Sequence, residues 1–358
     1  MKAETQFREL TVSFSVVDQI EPAIEKAVSY LKNHQYPYGE FCSYYAPDDP
    51  MLDWCVPCSS IFPTALIVNS LLPLKGRRDV QEIFKKSTSF FQYQVMRGGA
   101  MNYFTRWNQY FSMCSADVDD TIFVADFFRS QNIEHTDPLP ILLANRAKNG
   151  LFYTWFSFRL NKSRNRNFWL LLLREFKNPI DLFVRWKKFG FNSNDIDGVV
   201  NANLLYYLGE TEITKPIISY LVKIVEDNRE SDCDKWYRNP LVFYYFYSRN
   251  VKKGIKKLTS VSPVIVKRIS DQQKADGSIG SSSLETALAI STLINLGVNG
   301  PLISNAIAYL LNAQEGTGEW PRHLLYYSGP KKEVGWGSEE LTTGFCIEAL
   351  HSYLGQND

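Results

Sequence analysis

The sequence predicts an all-α fold, a single α6/α6 barrel (toroid) of six inner and six outer helices. Three observations predict it. A helix opening built on a small or polar residue followed by apolar ones recurs along the chain. The helices so opened are apolar nearly all round, the mark of burial on both sides. Amphipathic helices with charged outer faces alternate with them. A solenoid of helix pairs would share this alternation; six pairs closing on themselves fit it better.

The inner openings are Thr64-Ala-Leu-Ile, Thr121-Ile-Phe-Val, Val199-Val-Asn-Ala, Pro240-Leu-Val-Phe, Thr286-Ala-Leu-Ala and Thr343-Gly-Phe-Cys. Polar residues introduce each one: Ser59-Ser60, Asp117-Val-Asp-Asp, Asp195-Ile-Asp, Arg238-Asn239, Ser281-Ser-Ser and Ser338-Glu-Glu. Proline is tolerated in a first helical turn, so Pro240 fits the set. The outer helices fall near Val17–Asn33, Arg78–Val95, Asn167–Lys187, Glu212–Asp227, Pro263–Lys274 and Pro301–Ala313. Residues 1–17 are a lead segment, and 18–358 form the barrel domain.

Turn signatures end the outer helices. Gln314-Glu-Gly-Thr-Gly318-Glu-Trp320 has the pattern Q-x3-G-x-W. Gln35 to Phe41 and Gln273 to Ile279 repeat it with another apolar residue last, and Gln94 to Ala100 is a degraded copy. The glycine permits a tight turn, the apolar residue folds back, and the glutamine can bond a neighbouring helix end.

Composition narrows the function. Lys plus Arg number 39 against 38 for Asp plus Glu, so no global field attracts nucleic acid or an anionic membrane. No run of apolar residues is long enough to span a bilayer, and the N-terminus lacks a secretory h-region. Six scattered cysteines make no disulfide framework, and Cys55-Val-Pro-Cys58 has no second half to complete a zinc site. Buried free thiols and the cytoplasm are expected. The pattern leaves peripheral membrane contact and a homodimer open.

The Gln/Gly/Trp turns resemble those of squalene–hopene and oxidosqualene cyclases and their shorter relatives, over most of the chain from about residue 18. The resemblance is weakest between 131 and 192. It implies an α/α barrel of the terpene-cyclase and prenyltransferase superfamily. Within it, Asp117-Val-Asp119-Asp120-Thr121 resembles the DxDD(T) motif of class II terpene cyclases. Such a cluster suits the protonation of an unactivated alkene, because close carboxyls titrate as a coupled set and an apolar cavity keeps water from the cation formed. By motif position Asp119 is the general acid, with Asp117 and Asp120 as its partners. Helix capping also favours Asp at these places.

A second acidic opening, Asp195 and Asp197 leading into Asn201, occupies the same register, and Glu285 opens another inner helix. Either these are N-terminal caps, or Asp195, Asp197 and Glu285 hold Mg2+ beside a substrate diphosphate. Trp107, Phe104, Tyr206, Trp236 and Trp336 are the aromatic candidates for substrate contact, with Trp54, Tyr110 and Tyr244 beside them. Arg106, Arg238, Arg322 and Lys331 are candidates to meet a diphosphate.

The chain departs from the family in lacking length for a second helical domain. It also lacks the Asp, Cys and His ligand set of the zinc prenyltransferases and the DDxxD motif of class I terpene synthases. The expected function is a class II-type cyclase acting on a linear isoprenoid. The alternatives are a non-catalytic isoprenoid- or protein-binding toroid and a carbohydrate-active α/α-barrel enzyme.

Overall fold

The computed structural model describes residues 16–159, 163–174, 192–329, 331 and 333–357. In chain order its helices begin with α1 (Val16–His34), α2 (Phe62–Ser70), α3 (Arg78–Gln94), α4 (Val118–Ser130), α5 (Leu139–Ala144) and α6 (Arg166–Leu172). They continue with α7 (Gly198–Leu208), α8 (Lys215–Glu226), α9 (Pro240–Lys252) and α10 (Ser262–Ser270). The last three are α11 (Ser283–Asn295), α12 (Pro301–Ala313) and α13 (Glu339–Asn357).

The six apolar helices form a closed inner ring. Helix α2 packs on α4, α4 on α7, α7 on α9, α9 on α11, α11 on α13, and α13 returns to α2. Every residue from Phe62 to Val68 of α2 is buried, as an element covered on all sides must be. Helix α3 instead buries one stripe, Val80, Ile83, Phe84, Ser87, Phe90, Phe91 and Gln94, at helical spacing. Helix α1 packs on α3, α12 and α13, which carries the outer layer across the seam between the two ends of the barrel.

Two repeated clips explain the sequence repeats. Gln35 Nε2 donates to the carbonyls of Gly39 (3.0 Å) and of Ile83 on α3 (3.2 Å). Gln273 does the same to Gly277 (3.2 Å) and to Leu302 on α12 (2.8 Å), and Gln314 to Gly318 (2.8 Å) and to Ala23 on α1 (2.9 Å). Each turn is thereby sewn to the next outer helix. The three glycines have φ of 103°, 88° and 112°, and an added Cβ would lie 2.2–2.5 Å from a carbonyl oxygen of that neighbour. Gln94 differs: its Oε1 accepts from the Arg106 amide (2.9 Å).

The second clip uses the threonine of the inner opening. The amides of Phe41, Met101, Ile279 and Trp320 donate to the hydroxyls of Thr64, Thr121, Thr286 and Thr343 at 2.9–3.2 Å. On α7 the corresponding acceptor is Asn201, whose Oδ1 takes the amide of Phe152 (3.0 Å).

Two features depart from the expectation. Short strands frame the end of the barrel where the inner helices begin: β1 (Tyr44–Ala46), β2 (Val56–Pro57), β5 (Leu324–Tyr327) and β6 (Gly335–Gly337) form one antiparallel sheet in the order β2-β1-β6-β5. Strands β3 (Met101–Asn102) and β4 (Ala116–Asp117) form another. Strands of two to four residues are too short for a period-two pattern to register. The outer helix expected over Asn167–Lys187 is α6, ending at Leu172, preceded by α5; residues 175–191 lie outside the described residues. All but two residues of the lead segment lie outside them as well.

The six cysteines are free, Cys58, Cys233 and Cys346 buried and the others half-buried. Among the described residues no helix is long and apolar enough to cross a membrane.

Candidate active site

The opening of α4 is fixed from both sides. Strand β4 carries Ala116 and Asp117 against β3, Asp117 bridges to Trp155, and the Val118 amide donates to the Thr154 carbonyl (3.0 Å). Asp117 then caps α4, its Oδ1 accepting from the Asp120 amide (2.8 Å). Asp119 and Asp120 follow in the first turn, and all three are buried, with 4%, 6% and 2% of their surface exposed. They line one cavity of about 460 Å3, whose other walls are chiefly aromatic: Phe62, Tyr103, Trp236, Tyr237, Tyr326 and Trp336. Tyr326 stacks on Trp336, and Tyr103 and Phe62 meet Tyr326 edge-on.

Asp119 accepts two hydrogen bonds from neutral donors. Tyr237 Oη donates to Oδ2 (3.0 Å) and Asn203 Nδ2 to Oδ1 (3.2 Å). Tyr237 is itself oriented by the buried Asp234, whose Oδ1 accepts the amides of Trp236 (2.8 Å) and Tyr237 (3.0 Å) and whose Oδ2 accepts that of Val199 (3.1 Å). Burial, reinforced by the charge of Asp117, pushes the Asp119 carboxyl from 3.8 up to about 7, while the bonds from Asn203 and Tyr237 pull the other way. Burial also raises Asp117 to about 6, opposed by its hydrogen bond from Asp120. Asp120 goes well above the carboxylate range, through burial first and then the charge and hydrogen bond of Asp117. Asp120 therefore keeps its proton and shares it with Asp117.

This arrangement can hold a carboxylic acid in an apolar chamber and stabilise its conjugate base once the proton leaves. Desolvation retains the proton; Tyr237 and Asn203 wait on the oxygens that will carry the charge.

The structure brings Asp117, Asp119, Asp120, Phe104, Tyr110, Trp236 and Trp336 to this cavity and places the other expected residues elsewhere. Asp195 is ion-paired with Lys235 and accepts the Asn192 amide. Asp197 accepts the Thr154 hydroxyl (2.6 Å) and the Lys235 amide (3.0 Å). Glu285 accepts from Asn239 Nδ2 (2.6 Å), the Ser281 amide and the Ser281 hydroxyl. With these oxygens bonded to protein donors, the three acids do not make a donor set that fits Mg2+. Asn201 is committed to the clip on Phe152.

Trp107 lies outside the cavity, half-exposed and stacked on Tyr93, with Nε1 donating to Ser59 (2.7 Å). Tyr206, far along α7 from the acidic opening, packs under Arg249 (4.0 Å) and Lys253 (3.7 Å). Trp54 is exposed against Tyr45, and the Tyr244 hydroxyl donates to Glu230. The Arg106 guanidinium donates to the carbonyls of Tyr93 (2.8 Å) and Val95 (2.7 Å). Arg322 pairs with Glu339 (2.7 Å), Lys331 is exposed, and Arg238 does not line the cavity.

Sequence reasoning missed Tyr237, Asn203 and Asp234 as the environment of Asp119. Asn203 carried a signal: an amide in the middle of a helix apolar on all sides must find a partner. Tyr237 and Asp234 carried none, because their role arises from how α4, α7 and the segment before α9 meet.

No protein-family model matches the chain, and no curated protein matches it in sequence. Solved structures do match in fold. A protein from Actinoplanes superposes with a TM-score of 0.65 at 13% identity, over 93% of this chain and 99% of that one. An unsaturated glucuronyl hydrolase specific for heparin superposes with a TM-score of 0.57 at 12% identity, over 95% and 98%. The type II terpene cyclase MstE from Scytonema, in complex with geranylgeranyl dihydroxybenzoate, superposes with a TM-score of 0.67 at 14% identity, over 95% and 99%. The chain thus has the single-domain α/α-toroid fold found in that class II terpene cyclase.

Proposed function

We propose that this protein is a class II-type terpene cyclase in which Asp119 protonates the terminal alkene or epoxide of a linear isoprenoid and so starts its cyclisation. One observation carries the reading. Asp119 is buried on the wall of an aromatic cavity, in surroundings that keep its proton to about pH 7 and offer two neutral donors to the carboxylate left behind.

The chemistry balances without a co-reactant. The Asp119 O–H bond breaks as a C–H bond, or an O–H bond at an epoxide, forms. The electron pair of the next double bond closes a ring on the resulting cation. Loss of a proton from the final cation leaves an isomer of the substrate and restores the proton count. The faces of Phe62, Tyr103, Tyr326 and Trp336 stabilise the cations through their quadrupoles, and the apolar wall excludes water that would quench them. The shared proton of Asp117 and Asp120 limits the negative charge beside Asp119.

The toroid also serves a glycan hydrolase, as the heparin-specific neighbour illustrates. Glycoside hydrolysis sets two carboxyls on either side of the scissile bond. Here the three carboxyls share one helix opening on one wall, which favours the cyclase.

The test is to incubate the protein with linear isoprenoids from geranyl to squalene length and to search the extract for cyclic isomers by mass spectrometry. Cyclic product from the parent protein and none from Asp119→Asn sustains the reading. A ligand that binds the cavity and returns unchanged from both would turn it into a binding toroid.

A further inference from the structure

Among the described lining residues the three aspartates are the only carboxyls; the rest are aromatic, aliphatic, thioether, thiol or hydroxyl side chains, and none is a lysine or arginine. Among the described residues, most cations expected to meet a diphosphate are held by other partners, and Arg238, whose Nε is buried without a hydrogen-bond partner, does not line the cavity. Arg106 is spent on the carbonyls of Tyr93 and Val95, Arg322 on Glu339, and Lys235 on Asp195. Lys331 is exposed, and Ser328 and Val334, close to it in sequence, do line the cavity. The acids that might have held a bridging metal are bonded as described, Asp195 by Lys235, Asp197 by Thr154 and Glu285 by Asn239.

A diphosphate is a multiply charged anion. Brought onto this wall it would lose hydration with no cation among the described lining residues to replace it. It would also add like charge beside Asp117, and beside Asp119 once the proton of that carboxyl has left. An uncharged head group meets neither cost. Aromatic faces such as the stacked pair Tyr326 and Trp336 and the hydroxyl pair Tyr103 and Tyr326 (3.0 Å apart) suit an alcohol, ether, epoxide or phenol.

We infer that the site takes a linear prenyl compound with an uncharged head group, in place of a prenyl diphosphate, and that it works without Mg2+. This rests on the cyclase reading for the prenyl chain and adds the identity of the head group.

The experiment measures binding, so that it does not depend on turnover. Trp155, Trp236 and Trp336 line the cavity and report occupancy through their fluorescence. The parent protein is titrated with farnesol, geranylgeraniol, a geranylgeranylated phenol, and farnesyl and geranylgeranyl diphosphates, each with Mg2+ and with EDTA. The neutral compounds are expected to bind at least about tenfold more tightly than the diphosphate of the same chain length. Mg2+ should leave that ratio unchanged, and so should Lys331→Ala. A diphosphate that binds as tightly as its alcohol, that tightens with Mg2+, or that is lost in Lys331→Ala overturns the inference while the cyclase reading stands. Neutral ligands that bind but never cyclise leave the inference standing and remove the cyclase reading. Failure of every prenyl compound to bind removes both.

Discussion

Helices α4 and α7 open on acidic residues in the same register, and they end in opposite chemical states. At α7, Asp195 is neutralised by Lys235, and both oxygens of Asp197 are taken, by the Thr154 hydroxyl and the Lys235 amide. At α4 no cation among the described residues is in contact; Asp117 and Asp120 share a proton, and Asp119 faces a cavity with a phenol and an amide on its oxygens. One acidic opening is a structural joint and the other a proton store. The two openings differ in sequence at Gly198, which stands where Asp120 does; the rest of the difference lies in what neighbouring segments bring to the carboxyls.

The comparison can be broken by substitution. The largest effect expected is from Asp119→Asn, which should lower cyclisation by about a thousandfold or more with the helical circular dichroism intact. A comparable loss of turnover from Asp195→Asn would erase the distinction. Tyr237→Phe removes one donor from the departing carboxylate and should slow turnover by about ten- to a hundredfold. Because that donor holds the pKa of Asp119 down, its loss should also move the pH limb upward. A rate loss with an unmoved limb would make Tyr237 a packing residue.

The pH profile sharpens the same point. Asp119 must be protonated to act, and burial raises it to about 7, so turnover should be level below that pH and fall about tenfold per unit above it. A limb near pH 4 would mean a solvated carboxyl. Stability should move oppositely in the variant. A carboxyl whose folded value exceeds its unfolded one contributes stability at low pH that is lost as pH rises through the folded value. Asn does not titrate, so Asp119→Asn should gain on the parent between about pH 4 and 7, reaching on the order of 4 kcal/mol by thermal melts at pH 8. The smallest effect is at the joint: Asp195→Asn should cost roughly 1–2 kcal/mol, discounted because Lys235 is partly exposed, and leave turnover within about threefold.

Much of this was legible in the sequence because it is local or repeated. Six helices apolar on every side, a threonine at the same place in four of them and a Gln-to-Gly spacing of four residues each have one physical cause, a clip or a covered face. The carboxyls of α4 were legible because three acids in one turn exceed what capping requires. Three things were not. The partners of Asp119 come from α7 and from the segment before α9, and nothing in either stretch points to α4. By sequence the acids of α7 and α11 suit caps and ligands alike, because the groups that bond them, Lys235, Thr154 and Asn239, lie on other elements. The short strands fall below the length at which alternation is visible.

Closure of the inner ring by α13, between α11 and α2, has a consequence for how the chain is made. Synthesis delivers α2 early and α13 late, so the nascent protein passes through a crescent whose two end helices each lack a neighbour. Both ends are apolar, and until α13 enters the gap they are free to stick to other chains. Gln314, which bonds the turn after α12 back to α1, joins the outer layer at the same seam only shortly before. Yield on the ribosome should therefore depend more on how quickly that gap is filled than on the stability of any single helix pair.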